Sequence, residues 1–436
     1  MKPQRKPHRY PWWLEMLAAI GVAAVLGGTL SLFFAVGRRP GQLWATEAPP
    51  VDSREFLASV SGAADAPLRT GGTVQLLNNG VQFFPSLLEA IRGARRSVNF
   101  SCYIWEKGEA ADQVLAALVE RARGGVEVRV LVDGMGGLYA PEMDALQAAG
   151  GKVVTFRPAR FGKLTRFYKR NHRRAIVMDG LVGFTGGEAV ADKWLGDADT
   201  EEHWRDMMVR VTGPLALTLQ SAFVDAWAFS SGEILEGQRF FPTQEDSRAG
   251  GPTGLIHTGL ASTPASDTHP LRVFLVQAFL SARKKLYITT PYFVPDRQTR
   301  EVVAGRARAG VDVRMLLPNE HTDARLIRLT SHYYYEDLLA AGVRIYEYQP
   351  TMMHTKAIVV DGQWSVVGSA NMDVRSIELN LENVLGILDQ GFARTLEATF
   401  HEDLKRAREV RLDEWRRRGP WERVKERTAS LLAEQY

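Results

Sequence analysis

The stretch from Met16 to Val36 holds no charged residue and is dominated by Leu, Ala, Val, Ile and Phe. About 20 such residues span a bilayer as a helix, and Trp12 and Trp13 stand just before it, where amphipathic rings favour the headgroup layer. A cleaved leader is the competing reading, since Ala35-Val36-Gly37 resembles a small-x-small site, but the run exceeds the usual leader length and Arg38-Arg39 follow at once. The pattern therefore predicts a retained transmembrane helix over 16–36 behind a basic tail over 1–15. Lys2, Arg5, Lys6 and Arg9 precede the span and only Arg38 and Arg39 follow closely. The positive-inside bias then predicts a single-pass protein of the inner (plasma) membrane, its N-terminus cytoplasmic.

Residues 37–72, rich in Pro, Gly, Ser and Ala, read as a linker. Beyond them the pattern repeats. Arg121-Ala-Arg-Gly-Gly-Val-Glu-Val-Arg-Val-Leu-Val132 matches Arg306-Ala-Arg-Ala-Gly-Val-Asp-Val-Arg-Met-Leu-Leu317 almost residue for residue. Each copy follows a strand-like segment (Ser97 to Trp105; Lys285 to Val294) and a helical pattern, and precedes a second helix ending in Ala-Ala-Gly at 148–150 and 340–342. Strand, helix, strand, helix, strand predicts a three-layer α/β unit with parallel strands. The period, far longer than any solenoid repeat, implies a duplicated domain: 73–241 and 271–403, with a crossing segment over 242–270 in which Gly254 to Gly259 suits a short strand. The Arg-rich stretch 404–436 reads as two short amphipathic helices broken at Gly419-Pro420, packed on the body or lying on a membrane.

Composition adds limits. The 436 residues are enough for two cores, and a hydrophobic fraction of 45% with 24% charged excludes disorder. The single cysteine, Cys102, excludes an internal disulfide and a cysteine-based zinc site. Net charge is only +4, so local patches matter more. Arg160, Lys163, Arg166, Lys169, Arg170 and Arg173 alternate with Phe156, Phe161, Phe167 and Tyr168, which suits a surface facing anionic lipid headgroups, although a nucleic-acid groove looks similar. The Asp133-Gly-Met-Gly-Gly137 turn lacks a full dinucleotide fingerprint and reads as a tight strand-to-helix connection.

The chemistry lies in a second repeated element. His354-Thr-Lys356-Ala-Ile-Val-Val-Asp361-Gly is followed by Gly368-Ser369-Ala-Asn371, and His172-Arg-Arg174-Ala-Ile-Val-Met-Asp179-Gly by Gly186-Gly187-Glu188. Residues i and i+2 of a strand face one side, so each His shares a cleft with the cation two residues on. One imidazole can attack phosphorus while the other donates a proton to the leaving alkoxide. Lys356, Arg174, Ser369 and Asn371 can stabilise the phosphate oxygens. A metal site is disfavoured, because Lys or Arg beside each His repels a cation and no cluster has ligand spacing.

The second half is a full match to the H-x-K-x4-D, G-S-x-N signature, and the chain resembles the phospholipase D superfamily. Thr290-Pro-Tyr-Phe-Val-Pro-Asp296, Tyr103-Ile-Trp105-Glu106, Trp204-Arg-Asp206 and Asn371-Met-Asp373-Val-Arg375-Ser376 with Asn380 and Glu382 extend the likeness to cardiolipin synthases, from Val74 to about Glu402. The resemblance implies two tandem phospholipase D-like α/β/α sandwich domains sharing one pseudo-symmetric site. It implies a phosphatidyltransferase that makes cardiolipin from phosphatidylglycerol and a second phospholipid through a phosphohistidine, without cofactor or metal. Anionic phospholipids and the membrane are then its partners, and nucleic acid is not; a lipid hydrolase or a nuclease of the same superfamily is the alternative. The implied catalytic residues are His172, Arg174, Asp179, His354, Lys356 and Asp361, supported by Ser369, Asn371, Asp206 and Glu382. Glu382 would fix the tautomer of His354, and Asp206, at the matching place in the first half, that of His172. The pattern makes His172 the nucleophile and His354 the acid, and a pseudo-symmetric site allows the reverse. Two departures stand out. Arg174 replaces the family Lys, which is not a conservative change at a phosphate site, and Gly187 with Glu188 replaces Ser-x-Asn.

Overall fold

A computed structural model of the chain describes residues 11–14, 16, 17, 19–22, 43–64, 66–137, 143–158, 169–243, 253–258 and 269–433. Most of the span expected over 16–36 lies outside these residues, as does the middle of the basic stretch (159–168). Trp12, Trp13, Leu17 and Ile20 are exposed, and no helix among the described residues is long and apolar enough to cross a membrane.

Duplication is visible strand by strand. In the first half the sheet order is Val74–Asn78, Met207–Thr212, Val182–Gly186, Ala175–Met178, Ser97–Cys102, Glu127–Asp133, Lys152–Phe156. In the second it is Thr253–Thr258, Asn383–Leu388, Trp364–Gly368, Ala357–Val360, Lys285–Thr289, Asp312–Pro318, Arg344–Tyr348, with Arg69–Thr70 and Ala407–Val410 added at the two edges. Both sheets are mixed rather than all parallel. The last three strands of each order run parallel, as expected from their helical crossovers. The strands that follow the histidines pair antiparallel, and the first pair in each half is joined by a tight turn centred on Asp179-Gly180 or Asp361-Gly362, closed by Leu181 N on Met178 O at 2.9 Å and Gln363 N on Val360 O at 3.1 Å. All four residues have positive φ (56°, 70°, 54° and 67°), the backbone of a type I′ turn, for which Asp-Gly is a preferred pair.

The repeated Arg-Ala-Arg segment also has a structural reason. It ends the helices Glu109–Arg123 and Arg297–Arg308. Gly125 and Gly310 follow with φ of 84° and 87°, so Val126 and Val311 can donate backward to the carbonyls of Arg121 and Arg306 at 3.0 and 3.1 Å. Alternate apolar residues of the two sheets, among them Val177, Val209, Val359 and Leu385, meet in one cluster between the halves. The described residues between 43 and 433 therefore form one body.

The stretch read as a linker over 37–72 contributes an ordered helix to this body. Within 37–72 a helix, Arg54–Ala64, inserts Phe56, Val60 and Ala64 into the core of the second half, where Phe56 meets Trp364 edge-to-face at 5.1 Å. Their i, i+4, i+8 spacing is an amphipathic signal that the Pro/Gly/Ser composition obscured. In the stretch read as two helices over 404–436, Ala407–Val410 is instead an edge strand on Arg344–Tyr348, and helices Leu412–Arg416 and Pro420–Ala433 follow, separated at Gly419.

Candidate active site

The two histidines are held in place by the opposite half of the chain. The segment before strand Ala175–Met178 runs extended beside residue 381: Leu381 N donates to Arg170 O at 2.9 Å and His172 N to Leu381 O at 3.0 Å. Its counterpart does the same beside residue 205, with Arg205 N on Met352 O at 2.9 Å and His354 N on Arg205 O at 2.8 Å. On the first side Asp133, at the end of a strand, accepts from Asn171 N at 2.9 Å and from Arg170 Nη1 at 3.3 Å. The Asp133–Gly137 turn thus positions the chain leading into His172 rather than binding a nucleotide.

This stitching decides which carboxylate serves which imidazole, and it reverses the expected pairing. His172 Nδ1 lies 2.9 Å from both oxygens of Glu382, and His354 Nδ1 lies 2.6 Å from Asp206 Oδ2. The reason is topological: Glu382 and Asp206 adjoin the bridges that cross between halves, so each carboxylate faces the histidine of the other repeat. Both carboxylates are fully buried. Glu382 is further held by the Ser369 hydroxyl, which donates to Oε2 at 2.5 Å. Ser369, expected at the phosphate, is therefore a support for Glu382. In the first half a Cβ on Gly187 would fall 2.2 Å from Asp206 Oδ1, so a serine has no room there. Trp194 Nε1 donates to Asp206 at 3.0 Å instead, and the missing Ser is compensated by an indole. Trp194 and Trp204 also flank the His354 ring, at 5.5 and 5.2 Å. The role of Trp194 had no short-range sequence signal, and the Tyr103-Ile-Trp105-Glu106 segment marked a likeness without showing that the Tyr103 ring lies 4.9 Å from that of His172.

With Nδ1 turned to a carboxylate, each ring presents Nε2 as its reactive atom. Burial pushes His172 down to about 4, opposed by Glu382 and reinforced by Arg174. His354 sits at about 4 as well, through burial first and then the Lys356 charge, which together outweigh Asp206. Burial also lowers Lys356 to about 7; its Nζ is 2.9 Å from the His354 ring nitrogens and donates to His354 O at 2.6 Å. Asp206 is lowered in spite of burial, by His354 and Lys356. Burial raises Glu188, beside it, well above the carboxylate range. Arg174 spends Nε and Nη1 on the carbonyls of Glu188 and His172, at 3.2 and 2.8 Å. Its buried Nη2 has no hydrogen-bond partner, a donor left for an anion.

Two expected catalytic residues lie elsewhere. Asp179 caps the backbone N–H groups of Arg95, Arg96 and Ser97 at 2.7 to 2.9 Å, and Asp361 those of Arg283, Lys284 and Lys285 over the same range. At about 3.3 Å per strand residue they are roughly 16 Å from Arg174 and Lys356. They stabilise the hairpins and touch nothing at the histidines. Of the basic stretch, Arg170 and Arg173 are likewise buried, and Arg173 pairs with Asp225 at 2.8 Å; they belong to the scaffold, not to a surface for headgroups.

His172, Arg174 and His354 open on one cavity of about 280 Å³, together with Asn371. Its wall is apolar at Ile104, Val294, Leu326, Ile327 and Val374 and polar at Tyr292, Asp323, Asp373 and Arg375. Burial raises Asp373 to about 6. Among the described residues no group of three His, Cys, Asp or Glu side chains is arranged to hold a metal ion. The cations facing the cavity are side chains.

Residues 275–404 match the family described as "Cardiolipin synthase, PLD-like domain". Cardiolipin synthase 1 of Bacillus cereus is 34% identical over 85% of this chain and 74% of its own. Cardiolipin synthase A of Pseudomonas fluorescens is 36% identical over 84% and 76%, and that of Escherichia coli O157:H7 is 31% identical over 98% and 92%. In fold, the chain is similar to phosphatidylserine synthase of Haemophilus influenzae, with a TM-score of 0.68 at 16% identity over 88% of this chain and 99% of that one. Two carboxylate-backed histidines from a duplicated sheet, joined to sequence identity over most of the chain, have one reading: the chain belongs to the cardiolipin synthase family of the phospholipase D superfamily.

Proposed function

We propose that this chain transfers a phosphatidyl group between phospholipids through a phosphohistidine, and that with phosphatidylglycerol as donor and acceptor it makes cardiolipin. The observation that carries this reading is the pair of histidines, each backed by a carboxylate from the other half, facing one cavity beside the unpaired donor of Arg174. In the first step His172 Nε2 attacks phosphorus, the bond from phosphorus to the glycerol oxygen breaks, and the leaving alkoxide takes a proton from His354. In the second the hydroxyl of the incoming lipid gives its proton to His354 while its oxygen displaces His172. Burial disfavours the imidazolium that His354 needs, and the phosphodiester anion between the histidines restores it. Arg174, Lys356 and Asn371 hold the non-bridging oxygens as charge develops, and the apolar wall receives acyl chain near the headgroup. The uncharged run 16–36 would keep this cavity at the inner membrane where both lipids reside.

The test is mass spectrometry of lipids after the purified chain meets phosphatidylglycerol vesicles, with His172→Ala and His354→Ala as controls. Cardiolipin from the parent and from neither variant is the expected result. Phosphatidic acid alone would make the chain a hydrolase, and no lipid product would refute the lipid reading.

A further inference from the structure

Helix Pro420–Ala433 has two faces of different chemistry. The inner face is fastened to helix Arg325–Ala340. Glu426 is 3% exposed, pairs with Arg418 and lies 3.7 Å from His332 Nδ1, whose Nε2 is 3.1 Å from Glu347. Ala429 and Ser430 are buried beside it. Just before the break, Trp415 packs on Tyr335 and His332 at 4.9 and 5.0 Å.

The outer face carries Trp421, Val424 and Leu431, which are 69%, 51% and 67% exposed. At i, i+3 and i+10 they fall within an arc of about 80° on a 3.6-residue helix. Lys425, paired with Glu422, and Arg427 stand on either side of that arc, and Arg416 and Arg417, paired with Glu336 and Asp413, precede it with side chains 55% and 76% exposed. An indole and two aliphatic side chains held in water between cations are badly placed for a purely solvated helix. They match the boundary between acyl chains and anionic headgroups.

We propose that Pro420–Ala433 docks on the surface of an anionic bilayer, its apolar stripe in the headgroup layer and Lys425, Arg427 and Arg417 on phosphates. This rests on the reading that the substrates are anionic phospholipids, and adds a second attachment independent of residues 16–36. The contact also bears on the site. The first two turns of helix Arg325–Ala340 carry Leu326, Ile327 and Thr330, which line the cavity. Ile327 and Glu336, the partner of Arg416, are about 14 Å apart along it. Docking therefore sets the cavity wall close to the lipid surface.

The full chain carrying Val424→Cys, labelled with an environment-sensitive fluorophore, tests this directly, since Cys102 is buried. Reconstituted in phosphatidylglycerol vesicles, the label should shift to the blue and be quenched by lipids spin-labelled near the headgroup, and far less so in phosphatidylcholine. Emission as in water would overturn the proposal. So would a blue shift that grows with protein density and escapes the spin-labelled lipid, which would mean that a second copy covers the stripe. In a second arm, Trp421→Ser with Leu431→Ser should raise KM on vesicles by about tenfold or more, on the order of one large apolar side chain. Turnover of monomeric short-chain phosphatidylglycerol should not change, and an unchanged KM on vesicles would count against the proposal. If the parent turned over neither form of the lipid, the proposed function would fall, and the label would still report on docking.

Discussion

Replacing Glu382 with Gln tests the crossed support more sharply than any other change. Gln keeps the length of the side chain and can still accept from His172 Nδ1–H, so the ring keeps its orientation. What is lost is a full negative charge with both oxygens 2.9 Å from that nitrogen. The charge matters only once the ring becomes cationic, as it does when Nε2 bonds to phosphorus. With charge centres roughly 4 Å apart at an effective dielectric near 20, the interaction is about 4 kcal/mol, or about a thousandfold in rate. Part of it survives in the ground state through the neutral hydrogen bond. Turnover should therefore slow by roughly a hundredfold to a thousandfold, with KM changed by less than about threefold. The assay is a quenched single turnover of phosphatidylglycerol labelled at the phosphate, followed by mass spectrometry of the peptide that bears His172. The adduct on His172 should form slowly in Glu382→Gln. Turnover within tenfold of the parent, with the adduct formed at the parental rate, would refute the assignment of Glu382 to His172 as the catalytic partner.

Other outcomes follow from the same geometry. Trp194→Phe keeps the ring beside His354 but removes the hydrogen bond to Asp206, and should slow turnover about tenfold, the equivalent of one buried bond to a charged group; steady-state kinetics would show it. Asp361→Ala leaves three backbone donors without their acceptor and puts Ala at a left-handed φ, so stability to denaturant should fall by about 2 kcal/mol while turnover stays within about twofold of the parent. Burial holds His354 at about 4 against an ordinary 6.5, so between those values the unfolded chain binds more protons and this residue's contribution to stability rises with pH. At 1.36 kcal/mol per pH unit that is about 3 kcal/mol, and the difference between parent and His354→Gln in denaturant unfolding at pH 4.5 and pH 7 should show it; equal differences at both pH values would contradict it.

Much of this was legible in the chain. The His-x-Lys and His-x-Arg pairs, the anchoring apolar strands and the duplication follow from local periodicity, and the structure places His172, Arg174, His354 and Asn371 around one cavity. The carboxylate assignment was not legible, because alignment of the two repeats says which residues correspond and not which ones meet. Asp206 and Glu382 occupy equivalent places, but the chain crosses between halves beside both, and each serves the other repeat's histidine. Asp179 and Asp361 misled for a related reason: a residue at fixed spacing from a catalytic His is fixed equally well by a hairpin turn. Trp194 was invisible because its partner Asp206 is made available only by folding, and Gly187 reads as a lost serine until the position of Asp206 shows that a side chain has no room.

The exchange of carboxylates has a consequence for how lipid-cleaving power first arises in a growing or refolding chain. Neither repeat, folded alone, possesses a correctly backed imidazole, since Glu382 joins His172 only after the last strands of the second half are in place. A half on its own holds a histidine without the carboxylate that backs it in the whole chain. Both histidines gain their backing carboxylates through the same closure of the two halves, so the attacking imidazole and the proton-transferring one are completed together.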